Sequence, residues 1–120
     1  MRILLVDDDR AAVDALRTLL ELDGYQVIAL TSGAEALTAL HDQRFDALIT
    51  DLEMPRVHGL DIVRAAHQKG LPTLVVTAHA GLVGSALALG ARRVFGKPLP
   101  YDDFAEELAQ ALRQGTSGAA

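Results

Sequence analysis

Five short apolar runs alternate with five stretches of helical spacing along this chain, and that alternation restricts the fold more than any other feature. The first run, Arg2-Ile3-Leu4-Leu5-Val6, is continuously hydrophobic, which suits a strand covered on both faces. From Arg10 the spacing turns helical: Val13, Leu16 and Leu20 share a stripe with Ala12 and Leu19 beside it, Asp9 stands as the N-cap and Gly24 as the stop. Residues 26–30 read as a second strand. Ser32, with Glu35 three residues on, is a capping box opening a helix through Ala36, Leu37 and Leu40. A third strand at 47–50 precedes a helix over 59–69 that Gly70 and Pro72 close, and a fourth strand follows at 73–77. A weaker helix over about 82–89 ends at Gly90, a short fifth strand covers 93–95, and Phe104, Leu108 and Leu112 stripe a last helix.

The connections between the strands are too long for hairpins, so the strands must run parallel with helices on both faces of the sheet. The expected fold is α/β: a flavodoxin-like, doubly wound five-stranded parallel sheet in the order 2-1-3-4-5. At 120 residues, half of them hydrophobic, the chain holds one core, assigned to residues 1–114. Residues 115–120 lose all periodicity and read as a flexible tail or linker stub. No apolar run approaches the roughly 18 residues of a membrane span, and a cytoplasmic location is expected. Without cysteine there is neither thiolate chemistry nor a disulfide. A net charge of −5, with Arg92-Arg93 the one adjacent basic pair, argues against a nucleic-acid surface.

In such sheets ligands sit beyond the carboxyl ends of the strands, at the switch point between the first and third. Those two ends carry Asp7-Asp8 and Asp51. Asp51 ends a buried run and is followed by Met54-Pro55, where the chain must turn. Two carboxylates about 4 Å apart repel by roughly 4 kcal/mol at an effective dielectric near 20, so three in one crevice need protons or a cation. Mg²⁺ meets that need with one or two carboxylates plus waters and a phosphate. Asp8 and Asp51 are expected as direct ligands, with Asp7 binding through water or orienting as a base. Thr77 closes the fourth strand and Lys97 follows the fifth, so both overlook the same crevice. A hydroxyl and an ammonium there are the donors that a phosphoryl group on Asp51 requires.

The ordered set of Asp7-Asp8, Asp51 with Met54-Pro55 and Gly59, Thr77-Ala78, Gly90-Ala91 and Lys97-Pro98 resembles the response-regulator receiver domain over residues 1–112. The resemblance implies that Asp51 accepts a phosphoryl group from a sensor histidine kinase or phosphotransfer protein. It further implies Mg²⁺ held by Asp8, Asp51 and the main-chain carbonyl of Glu53, phosphoryl oxygens bound by Thr77 and Lys97, and a cis Lys97-Pro98 bond. Displacement of Thr77 would then remodel the surface of the fourth helix, fifth strand and fifth helix. On this reading the chain is a regulatory phosphoacceptor, not an enzyme with a separate substrate.

Two features set this chain apart. Val94 occupies the position three before the lysine where the family usually has an aromatic ring, with Phe95 one residue on; Glu53 and His79 lie where the family varies its dephosphorylation rate. Competing readings fare worse. A flavin-phosphate site lacks a Gly-rich or hydroxyl-rich loop after strand one, and a Mg²⁺-dependent phosphohydrolase lacks the loop material for a substrate pocket. Between Ala80 and Ala91 the one polar side chain is Ser85, and Gly84 interrupts the helix. A labile helix with an apolar face of Leu82, Val83, Leu87 and Leu89, beside Arg92-Arg93, is expected to mediate self-association or partner binding.

Overall fold

The computed structural model describes residues 1–114; the tail expected at 115–120 lies outside the described residues. Strands β1 (Arg2–Val6), β2 (Gln26–Leu30), β3 (Ala47–Thr50), β4 (Thr73–Thr77) and β5 (Arg93–Gly96) form one sheet in the order β2-β1-β3-β4-β5, every pair parallel. Helices α1 (Arg10–Leu22), α2 (Gly33–Asp42), α3 (Gly59–Gln68), α4 (Val83–Ala88) and α5 (Tyr101–Gln114) cover both faces. The expected fold and strand order are thus observed. Among the described residues no helix is long and apolar enough to cross a membrane.

The period of two along each strand sorts the core. Ile3 and Leu5 of β1 join Ile49, Leu74 and Val76 under α1 and α5, packing on Val13, Leu20, Phe104 and Leu108. Leu4 and Val6 face the other way, with Leu48, against Ala36, Leu40 and Ile62 of α2 and α3. Toward the β5 edge, Val75 packs with Val63 of α3 and Ala86 of α4. The same alternation separates Val94 from Phe95. Val94 faces the α4 side, whereas Phe95 is buried on the α5 side, its ring edge-on to Phe104 at 5.4 Å and 75°. Phe95 therefore cannot stand in for the ring missing at Val94.

The local signals act as anticipated. Asp9 caps α1, its Oδ1 accepting from the Ala11 and Ala12 amides at 3.0 and 3.3 Å, and Gly24 turns the chain at φ 94°. Ser32 Oγ accepts from the Glu35 amide at 3.3 Å, which is the forward half of the capping box. The fourth helix is short and weak, as its sequence implies. A 3-10 turn (Ala80–Leu82) precedes a helix of six residues, because neither His79 nor Leu82 supplies a side-chain cap and Gly81 and Gly84 weaken the segment. Its apolar face is also less open than its composition implies. Leu82 and Leu89 pack half-buried on the cluster of Leu52, Val63, Val75 and Ala86, while Leu87 stands 46% exposed among Gly84, Ser85 and Ala88.

Candidate functional site

β1 and β3 are adjacent, and their register, Val6 opposite Thr50, brings Asp7 and Asp51 to the carboxyl edge side by side. The Asp51 amide donates to Val6 O at 3.0 Å and the Asp7 amide to Leu30 O at 3.2 Å, so both acids emerge from strand-like backbone with little freedom. Thr77 pairs with Gly96 across β4 and β5, which sets Lys97 immediately beyond it at the same edge. The sheet order, set by the core, thereby gathers residues from four separate segments.

Asp7 and Asp51 are buried, 7% and 6% exposed, and Lys97 reaches between them: its Nζ donates to Asp7 Oδ2 at 2.8 Å and to Asp51 Oδ2 at 3.0 Å. The remaining carboxylate oxygens are held by main chain. Asp7 Oδ1 accepts from the Asp9 amide at 3.0 Å; Asp51 Oδ1 accepts from the Leu52 and Glu53 amides at 2.6 and 3.3 Å. Thr77, 3% exposed, accepts from the His79 amide at 3.1 Å through Oγ1. Asp8 is exposed beside them.

Burial raises the Asp7 carboxyl above its ordinary value despite the hydrogen bonds from Lys97 and Asp9. Burial opposes the Lys97 charge as well, but there the hydrogen bonds to Asp7 and Asp51 prevail and raise its pKa. One ammonium thus offsets only part of the cost of gathering these acids. Asp7, Asp8 and Asp51 each offer a carboxylate oxygen within 4.8 Å of the others. An all-oxygen donor set open to water on the Asp8 side fits Mg²⁺, which keeps several waters of its own.

Three features of the site lie beyond what residue chemistry alone foretells. The first is the pair of amides at Leu52 and Glu53, which a sharp turn before Pro55 makes available. The second is Gly59, whose amide donates to Leu52 O at 3.1 Å; a Cβ there would collide with Leu52 Cα and lie 2.5 Å from Asp51 O. Its spacing from Asp51 was the available signal. The third is Thr50, whose hydroxyl donates to Asp51 O at 2.8 Å. The Lys97-Pro98 bond is cis, as the resemblance implied.

Parallel sheet order and acid crevice together define a flavodoxin-like α/β domain with an acidic site at the carboxyl edge of its sheet. The family model described as the response regulator receiver domain matches residues 3–109, and the chain belongs to that family. Response regulator MprA of Mycobacterium avium is 38% identical over 118 residues, covering 95% of this chain and 52% of that protein. MprA of Mycolicibacterium vanbaalenii is 37% identical over 120 residues, covering 97% and 52%. The chain spans about half the length of these relatives. Among solved structures, a CheY-like receiver domain protein from Methanospirillum hungatei superposes with a TM-score of 0.90 at 29% identity, covering 99% of this chain and 98% of that one. Response regulator TrrA of Thermotoga maritima, solved in complex with Mg²⁺ and BeF, gives 0.84 at 26% identity, covering 91% and 96%. A receiver domain of two-component signalling acts as a phosphorylation switch, and its phosphoryl groups come from histidine kinases.

Proposed function

We propose that Asp51 is the phosphoacceptor of this chain, charged by a sensor histidine kinase or phosphotransfer protein in the cytoplasm. The observation that carries this reading is the Lys97 ammonium bridging Asp7 Oδ2 and Asp51 Oδ2 beside exposed Asp8. Asp8, Asp51 and the Glu53 main-chain carbonyl would hold Mg²⁺, with Asp7 orienting its waters. The bound ion would neutralise charge that builds on the transferring phosphoryl group.

The chain's own groups divide the remaining work. Asp51 Oδ1 is fixed by two amides, which leaves Oδ2, held by Lys97 alone, to form the bond to phosphorus as the bond to the donor breaks. Lys97 then passes to a phosphoryl oxygen. Thr77 Oγ1 accepts from His79, so its own proton is free to be donated to a second phosphoryl oxygen. Residues 1–114 act as the switch, and the signal leaves through α4, β5 and α5.

Because Val94 carries no ring, movement of Thr77 is passed to the uncapped start of α4, and Leu87 is the apolar contact through which a second copy or a partner is engaged. Arg92 and Arg93 take little part in nucleic-acid binding on this reading, since both pair with Glu107 of α5, at 2.6 and 3.2 Å.

With Mg²⁺ and acetyl phosphate, intact mass should show one added phosphoryl group, absent in Asp51→Asn. Equal labelling of the two proteins overturns the assignment. Asp8→Ala should weaken Mg²⁺ binding, and unchanged affinity removes Asp8 from the ligand set. Sedimentation with and without a phosphoryl mimic, repeated on Leu87→Glu, tests the output surface: a monomer throughout, with no partner lost on mutation, refutes it.

A further inference from the structure

The two edges of the sheet carry opposite charge. Acids gather at the carboxyl edge, whereas the loops entering β3, β4 and β5 at the amino edge bring Arg44, Lys69 and Arg92 together with His67. Two cavities of about 330 and 230 Å³ lie among these loops and share Leu71. The first has Leu40, Phe45 and Leu71 as apolar lining, with exposed Arg44 and Lys69 beside them. The second continues past Pro72 to Gly90, with His67 and Arg92 alongside. Among the described residues no acid lines either cavity.

The floor of this groove is preformed. Asp46 N donates to Arg2 O at 2.7 Å, Leu48 N to Pro72 O at 2.9 Å and Arg92 N to Thr73 O at 2.8 Å, which ties the entering loops in line. The Arg2 guanidinium clamps one wall: it donates to Arg44 O at 2.7 Å and to Gln43 Oε1 at 2.9 Å, and lies 5.0 Å from the centre of the Phe45 ring. At the other end the His67 ring rests against Gly90, where φ is 110° and an added Cβ would collide with the ring.

Arg92 is already paired with Glu107, so the free charge sits at Arg44 and Lys69. Neither forms an ion pair among the described residues, although the chain as a whole carries a net charge of −5. Unpaired cations beside apolar walls select a ligand whose carboxylates flank apolar side chains. A second copy is a poor occupant: docked by its acidic edge it would repeat head to tail without closing.

We propose that this groove docks an acidic, apolar segment of a protein partner, with a leucine- or phenylalanine-sized side chain against Leu71 and carboxylates on Arg44 and Lys69. The groove lies at the opposite edge of the sheet from Asp51, so its occupant leaves the acid crevice open.

The probe is the acetylated peptide Glu-Glu-Leu-Phe-Glu-Glu, titrated into isotope-labelled protein beside a control with lysine in place of each glutamate. The amide signals of Phe45, Lys69, Leu71 and Gly90 should shift and saturate, while those of Asp51 and Thr77 stay in place. Arg44→Glu and Lys69→Glu should each weaken binding about tenfold. Raising salt from about 50 to 300 mM should weaken it severalfold. Both variants change exposed side chains, so phosphoryl uptake from acetyl phosphate should match wild type. The proposal is overturned by the absence of saturable shifts in wild type, by equal affinity in the double variant, or by equal binding of the lysine control. Tighter binding of an oligonucleotide or a phosphatidylserine vesicle to the same amides overturns it too, as does self-association through this groove in sedimentation without peptide.

Discussion

α1 and α4 both border the carboxyl edge of the sheet, yet they are held there by different means. α1 runs thirteen residues from a capped start, with Asp7 just before it bridged to Lys97 and its C-cap Asp23 bridged to Tyr101 of α5. α4 runs six residues behind a 3-10 turn, without a side-chain cap, and is held by small apolar contacts at Leu82, Ala86 and Leu89. Chemistry that needs fixed geometry sits against the first. The movement proposed for the output falls to the second, whose opening should cost less because fewer interactions must be broken.

Glycine substitutions probe this contrast most strongly. Gly59→Ala, on the site side, forces a Cβ into the backbone of Asp51 and Leu52, and urea unfolding should show a loss of about 3 kcal/mol or more. A loss below about 1 kcal/mol would mean that the start of α3 is less tightly seated than the contact implies. On the face proposed as the output side, Glu107→Gln loosens two arginines that are partly exposed, and about 1 kcal/mol should be lost. A double-mutant cycle with Arg92→Ala measures that pair directly.

Gly84→Ala should have the opposite sign. A Cβ there meets nothing within 4 Å, so the substitution should stabilise α4 by about 0.8–1.0 kcal/mol and slow amide exchange in that helix alone. Exchange slowed equally across the whole chain would show that α4 opens only with global unfolding.

The smallest effects are pH slopes, and they run in opposite directions. Burial raises Asp7, so the folded chain holds that proton more tightly than the unfolded one; this acid costs stability progressively as pH rises from 3.8 through its raised folded value. Asp7→Asn should therefore be more stable than wild type near neutrality and lose that advantage below pH 3.8. Glu107 is lowered, first by the Arg92 hydrogen bond, so its contribution is present above 4.5 and lost as pH falls through the lower folded value. Urea titrations of both variants between about pH 3 and 7 should show the two differences diverging with opposite slopes.

Legibility in the sequence followed the range of each interaction. Continuous apolar runs placed all five strands, and because strand order sets the carboxyl edge, Asp7, Asp8, Asp51, Thr77 and Lys97 could be gathered from the chain alone. Caps at Asp9 and Ser32 were visible because their partners lie within three residues. Contacts between distant segments were not. Tyr101 and Asp23 lie 78 positions apart, and nothing in either local pattern marks the pair. The α4 face was legible only in part for a related reason: composition shows that Leu82 and Leu89 are apolar, but only the packing of a short helix over Ala86 and Ala91 decides that they are half-buried.

β3 lies in the middle of the sheet, flanked by β1 and β4, and all four of its residues are buried. Paired on both sides and buried throughout, the backbone leading into Asp51 should exchange with deuterium among the slowest in the molecule. Local openings that let α4 shift, or α5 fray, leave that lead-in untouched. The carboxylate at the end of β3 should therefore keep its place through such openings, and on the proposed assignment a phosphoryl group carried there would be lost by chemistry at its own bond rather than by drift of the strand that holds it.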